Sequence, residues 1–221
     1  YHSELYDEMY KESISDDTRE NFWKKQAERV HWDKFPQQIL DASNHPFYKW
    51  YPDGEINMCY NCLDRHIDEG RGDQLALIYD SAYTKTTKKY TYKETLEKVS
   101  KLARILTDTH GVKKGDRVVI YMPMIPESAF AMLACARIGA IHSVVFGGFA
   151  AKELANRILD CKPKMIITAS CGIEPRKVIR YVPIIDEALK IAEMSDLQRL
   201  IVQRHDIAYE LDLNPDLYKD Y

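Results

Sequence analysis

Four short runs rich in β-branched and other apolar residues, at 117–122, 141–146, 164–169 and 198–203, are each separated from the next by a stretch of helical patterning. Strands alternating with helices in this way predict βαβ units, and hence a parallel sheet covered by helices. Crossovers of roughly 30 residues fit right-handed connections. The expected fold class is therefore α/β. Sheets of this kind bind ligands beyond the carboxyl ends of their strands, so the loops after Met122, Phe146 and Ala169 are the informative ones. Pro126 falls at a helix start and Gly139 just past that helix's end. Ala151, Leu154, Ala155, Ile158 and Leu159 give the next helix its buried stripe.

Upstream of the alternation, Thr91 and Glu94 form a capping box, Leu96, Val99, Ala103 and Leu106 follow on one helical face, and Gly111 ends that helix. A helix is expected over 58–69, ended by Gly70, then a strand over 75–79 and a polar hairpin-like turn over 81–89. Residues 1–55 read differently. Charged residues alternate with Phe22, Trp23, Trp32, Phe35, Phe47, Tyr48, Trp50 and Tyr51, and prolines punctuate them. This predicts an aromatic-rich helical and extended arm, with a helix over 17–30 capped by Ser15 or Asp16 and aromatics packed on another surface. The expected division is thus an arm at 1–55 and a sheet-bearing part at 56–221.

Composition narrows the function classes. With 221 residues, 45% of them hydrophobic, the chain can bury a core. A net charge of −3 provides no footprint for a polyanion, so nucleic acid is not an expected partner. The apolar stretches at 118–125 and 129–136 are bounded or broken by Pro123, Pro126, Glu127 and Arg137, too short for a bilayer span, so no membrane segment is expected. Glu4, Asp7 and Glu8 near the start are unlike a signal peptide or a mitochondrial presequence, so any targeting segment is expected to have been removed or never to have existed. Five cysteines, an odd number, suit buried thiols and a reducing compartment. Cys59 and Cys62 form a CxxC without the second pair a zinc ribbon needs, and read as two helix-face thiols.

Three constellations could carry chemistry. At Phe146, Gly147, Gly148 and Phe149, two glycines between a strand and a helix allow backbone amides to approach a phosphate or nucleotide, or else simply make a tight turn. After Ala169, the segment Gly172, Ile173, Glu174, Pro175, Arg176 and Lys177 places a turn and two cations at the ligand edge of the sheet, with Arg180 one turn on. These cations either pair with phosphate oxygens or form a solvated basic turn. Asn57, Asn61, Asp64, Arg65 and His66 offer an acid, a base and an imidazole, but no nucleophile or metal partner. A structural role is expected there, Asp64 and Arg65 anchoring the arm or capping loops. His142 is expected as a core imidazole. The chain has no GxGxxG, no GxSxG, no HExxH and no Ser/Thr/Gly-rich phosphate loop ending in Lys, so a dinucleotide dehydrogenase loses its main support and no metal or catalytic residue is assigned.

Taken in order, Phe22–Trp23, DGEINMCYNCLDRH at 53–66, GRGDQLALIYDS at 70–81, YTYKETLEKVSKLARIL at 90–106, GVKKGDRVVIYMPMIPE at 111–127 and MLACARIGAIHSVVFGGF at 132–149 resemble acetyl- and propionyl-CoA synthetases of the adenylate-forming superfamily. The YMPMIPE and GIEP segments are most similar to the mitochondrial propionyl-CoA type. The resemblance implies a two-step ligase using ATP, Mg²⁺ and coenzyme A on acetate or propionate, in the mitochondrial matrix or the cytoplasm. It implies that residues 56–221 are the first part of an AMP-binding large domain, with the ATP loop and the carboxyl-terminal lid lying beyond Tyr221, so this polypeptide alone is not expected to ligate. Coenzyme A contact is implied for Phe146, Gly147, Gly148, Glu174, Pro175, Arg176 and Lys177. Relatives usually have Gly then Arg after the Pro, or an Arg-rich version, whereas this chain has Arg176 then Lys177, which keeps phosphate attraction but loses the guanidinium fork at 177. The alternatives are a non-catalytic interaction module that self-associates through the aromatic arm, and a free-standing nucleotide-binding protein of another kind.

Overall fold

Aromatic side chains crowd the start of the chain, and there they fold on one another. The computed structural model describes residues 3–174 and 177–204 and the backbone of 218–220. It divides into two compact units, Tyr1–Asn57 and Met58–Tyr221. In the first, helix α1 (Glu4–Ile14) starts at Ser3, whose hydroxyl accepts the Tyr6 N–H at 3.2 Å. Helix α2 (Arg19–Ala27) follows, and strands β1 (Leu40–Asp41) and β2 (Lys49–Trp50) pair antiparallel. The Trp23 indole donates to Ser13 O at 3.0 Å, the Tyr51 hydroxyl to Trp23 O at 2.9 Å, and the Trp32 indole to Ala27 O at 2.9 Å. Trp23 and Trp50 meet edge to face with centroids 5.3 Å apart. Within the unit these aromatics pack on one another. The helix expected over 17–30 is shorter, and Thr18 rather than Ser15 or Asp16 precedes it. Ser15 closes α1 and its carbonyl accepts the N–H groups of Thr18 and Arg19, so the cap falls three residues later.

The second unit opens with a helical stretch over 58–71 containing two wide π-helical turns, Tyr60–Asp64 and Ile67–Arg71, and Gly70 departs from helical geometry at φ 80°. Strands β3 (Leu75–Ser81) and β4 (Thr86–Thr91) form an antiparallel hairpin, so only the middle of the expected turn is loop. The β-favouring Thr86, Thr87, Tyr90 and Thr91, on either side of Lys88 and Lys89, continue the ladder. Helix α3 (Tyr92–Arg104) carries the anticipated capping box at Thr91 and Glu94 and ends through a π-helical turn, Ile105–Thr109, before Gly111 at φ 62°.

Then come β5 (Arg117–Met122), α4 (Pro126–Ile138), β6 (Ile141–Phe146), α5 (Ala151–Cys161), β7 (Met165–Ala169), β8 (Cys171–Glu174), β9 (Lys177–Arg180), α6 (Tyr181–Ile191), β10 (Gln198–Val202) and β11 (Tyr218–Asp220). Pro126 opens α4, and Gly139, left-handed at φ 73°, closes it. The sheet runs β11-β10-β7-β5-β6 with every neighbouring pair parallel, as the alternation predicts. From β5 the chain steps outward to β6, then returns past β5 to β7. With right-handed crossovers, that reversal puts α4 on one face and α5 and α6 on the other. Accordingly α3 packs on α4 and α5 on α6.

Val118, Val119, Ile120 and Tyr121 of β5 and Met165, Ile166 and Ile167 of β7 are buried on both faces, forming the core, where each such side chain contributes about 1.5–3 kcal/mol. Edge strand β6 differs, with Ile141, Val144 and Phe146 exposed. His142 is exposed there too and is not a core imidazole; among the described residues β6 pairs on one side alone, with β5, and lies at the margin of the sheet. Leu159, expected in the stripe of α5, faces out, whereas Ala151, Leu154, Ala155 and Ile158 are buried. Among the described residues no helix is long and apolar enough to cross a membrane.

Candidate functional site

The reversal between β5 and β7 leaves a crevice at the carboxyl ends of these strands, the place where open α/β sheets take ligands. A cavity of about 430 Å³ lies there, bordered by Met122–Met124 after β5, Val144–Gly148 at the end of β6, and Gly172–Glu174 on β8, with Ser128, Ile179 and Tyr181 completing it. All three loops singled out in the sequence reach it. Phe146, Gly147, Gly148 and Glu174 line it together. Pro175 and Arg176 lie outside the described residues.

The turn after Phe146 closes with the Phe149 N–H donating to Phe146 O at 3.0 Å. Neither glycine in it needs a positive φ; what they provide is room. A methyl carbon on Gly147 would sit 2.6 Å from the Tyr181 hydroxyl, and one on Gly148 would sit 2.5 Å from the Phe146 ring. The Tyr121 hydroxyl donates to Phe149 O at 2.6 Å, and its ring meets Tyr181 at 5.1 Å, so two phenols from the core brace the turn from beneath. Burial pushes Tyr121 up to about 12 and raises Tyr181 as well, so both phenols, protonated at neutral pH in any case, stay so well into the alkaline range.

Glu174 and Lys177 pair across the hairpin β8–β9, with Nζ 3.1 Å from the carboxylate. Ladder pairing of Cys171 with Arg180 and Ile173 with Val178 extends the strands, so Arg180 ends a strand instead of lying one turn on. Lys177 is well exposed at the rim, on the side of the cavity that Glu174 lines. A second cavity of about 340 Å³ shares Pro123, Met124 and Ile173 with the first and holds the buried Arg204. Sequence reasoning passed over Tyr121, Tyr181, Ser128 and Arg204. Only the glycines hinted at the tyrosines, as close-approach positions.

The third constellation is structural. Asp64 accepts from Arg137 of α4 at 2.9 and 3.1 Å, tying the helical stretch to α4. Arg65 donates to Asn61 Oδ1 at 3.4 Å, and His66 meets the Tyr92 ring at a tilt and bonds Arg71. Cys59 is buried, its sulfur 3.7 Å from Arg137, while Cys62 is exposed, so the CxxC thiols do not share a face. Among the described residues no group of three or more His, Cys, Asp or Glu could hold a metal ion.

Comparison with known proteins agrees with this architecture. The AMP-binding enzyme family matches residues 63–216, and the acetyl-coenzyme A synthetase N-terminus matches residues 6–62. Human acyl-CoA synthetase short-chain family member 3, mitochondrial, is 52% identical over 199 residues, covering 90% of this chain and 29% of that protein. Acetyl-coenzyme A synthetase of Streptomyces coelicolor is 46% identical over 205 residues, covering 92% of this chain and 31% of that protein. The solved acetoacetyl-CoA synthetase from Streptomyces lividans superposes with a TM-score of 0.77 over 92% of this chain and 30% of that one, at 22% identity, a likeness of fold alone. The chain thus spans less than a third of the length of these proteins. It belongs to the AMP-binding enzyme family, in the form that opens with an acetyl-coenzyme A synthetase N-terminus.

Proposed function

We propose that this chain is the coenzyme A-facing part of an AMP-forming acid–thiol ligase for short-chain carboxylates, with residues 1–55 as an arm and 56–221 as the first part of its AMP-binding large domain. In the whole protein, a carboxylate oxygen of acetate or propionate attacks the α-phosphorus of ATP and pyrophosphate leaves. The coenzyme A thiol then attacks the acyl carbonyl and AMP leaves. Phe146, Gly147 and Gly148 let backbone groups approach the coenzyme, and Arg176 and Lys177 attract its phosphates beside Glu174 and Pro175. The observation that carries this reading is that the Phe146–Gly148 turn and Glu174, salt-bridged to Lys177, border one cavity. Among the described residues no cluster of three or more His, Cys, Asp or Glu makes a protein-borne cage for Mg²⁺, an ion that ordinarily rests on one or two carboxylates and the substrate's own phosphates. Without a phosphate loop, the 221 residues alone are expected to show no ATP–pyrophosphate exchange. The proposed compartment is the mitochondrial matrix or the cytoplasm.

Calorimetric titration with coenzyme A tests the reading. Lys177 is exposed, so Lys177→Ala is expected to weaken binding by only about three- to tenfold, and more at low salt. An affinity that Lys177→Ala and Arg176→Ala both leave untouched would overturn it.

A second reading, a non-catalytic module that self-associates, is favoured by Phe47, Tyr48 and Trp50, all exposed in the first unit. It expects a sedimentation coefficient that rises with concentration in the native chain and stays flat in Phe47→Asp.

A further inference from the structure

The cavity wall holds two polar groups that the coenzyme reading leaves unused. Tyr181 is only 3% exposed, yet its hydroxyl is the atom nearest to where a side chain would begin on both Gly147, at 2.6 Å, and Gly172, at 2.8 Å. All three residues line the cavity, so the two glycines leave the hydroxyl uncovered there. Ser128, at 7% exposure on the first turn of α4, lines the same space. Among the described residues neither hydroxyl makes a hydrogen bond. Buried hydroxyls ordinarily have partners, because leaving them unpaired is costly. The surrounding wall is Met122, Met124, Ile173 and Ile179, which suits carbon chain rather than a charged group.

We propose that the Tyr181 and Ser128 hydroxyls are ligand-binding groups, donating to the carbonyl oxygens of an amide-bearing, otherwise apolar chain that enters this cavity. The pantetheine arm of coenzyme A is such a chain. Its identity rests on the reading above, whereas the placement of the hydroxyls does not. Lys177 at the rim would then hold phosphate while the cavity takes the arm, so one ligand spans both. The Tyr181 phenol, protonated at neutral pH like any ordinary phenol, is raised further by burial, with Arg204 opposing and Glu174 adding, so it is a donor.

Titrating the 221-residue chain with coenzyme A, pantetheine and adenosine 3′,5′-bisphosphate separates the parts. Tyr181→Phe keeps the ring and removes only the hydroxyl. It is expected to weaken coenzyme A and pantetheine about tenfold, and Ser128→Ala about threefold, with the bisphosphate and the thermal midpoint unchanged. Unchanged pantetheine affinity in Tyr181→Phe, or equal loss for all three ligands, overturns the inference. If the native chain binds no pantetheine, the inference fails whatever the nucleotide does. If pantetheine binds and depends on Tyr181 while Lys177→Ala is silent toward coenzyme A, the phosphate reading fails and the inference stands.

Discussion

Gly147 has no space for a methyl group: its added carbon would lie 2.6 Å from the Tyr181 hydroxyl and 3.2 Å from Met122 O. Gly147→Ala is therefore expected to cost about 1–3 kcal/mol in urea denaturation, as overpacking does. Tyr181→Phe in that background should recover part of the loss by removing the clashing oxygen, while the Met122 carbonyl keeps the rest. The Glu174–Lys177 pair belongs to another regime. Both side chains are substantially exposed, so the pair adds little stability, but Glu174 competes with any phosphate for Lys177. Glu174→Gln is expected to tighten coenzyme A binding about threefold at low salt, and less as salt screens the rim. Asp64 and Arg137 are more enclosed, Nη1 reaching both carboxylate oxygens, so Asp64→Ala should cost about 1–3 kcal/mol by denaturation, through an arginine left without its carboxylate.

Elements begin and end where their terminal backbone groups find partners. Thr91 accepts the Glu94 N–H at 3.2 Å and Glu94 accepts the Thr91 N–H at 2.8 Å, so Thr91→Ala should cost about 1 kcal/mol. This start was legible because a capping box is local. The start of α2 was not, because Ser15 was already committed to ending α1. In the first unit the loop near Pro36 is fastened by Asp53, which accepts the N–H groups of Gln37 and Gln38; these bonds hold its carboxyl below the ordinary range. A depressed folded pKa means stability present above the unfolded value near 4 and lost as pH falls through the folded one. Tryptophan fluorescence of the native chain should therefore show an acid transition below about pH 4, and Asp53→Asn should flatten it.

At the scale of the whole molecule, burial sets which thiols react. Cys62 is exposed, whereas Cys59, Cys135 and Cys171 are buried and burial pushes Cys135 up to about 12. Iodoacetamide is expected to label Cys62 in the native chain and Cys135 only on unfolding, as mass spectrometry of the peptides would read. Cys59 and Cys62 had read alike because their shared helix was visible in the sequence, but not which side met α4. The order of strands and helices was determined by the sequence itself, since hydrophobic period, Pro126, Gly139 and the Thr91 box all act within a few residues. Even the three loops at the ligand edge followed from that order. Which strands stand side by side was decided only in the tertiary structure, and with it the exposure of His142 on the edge strand and the meeting of Gly147, Gly172 and Tyr181. Those residues come from separate crossovers, and contact between segments far apart in sequence arises from packing of the whole sheet, which no local pattern encodes.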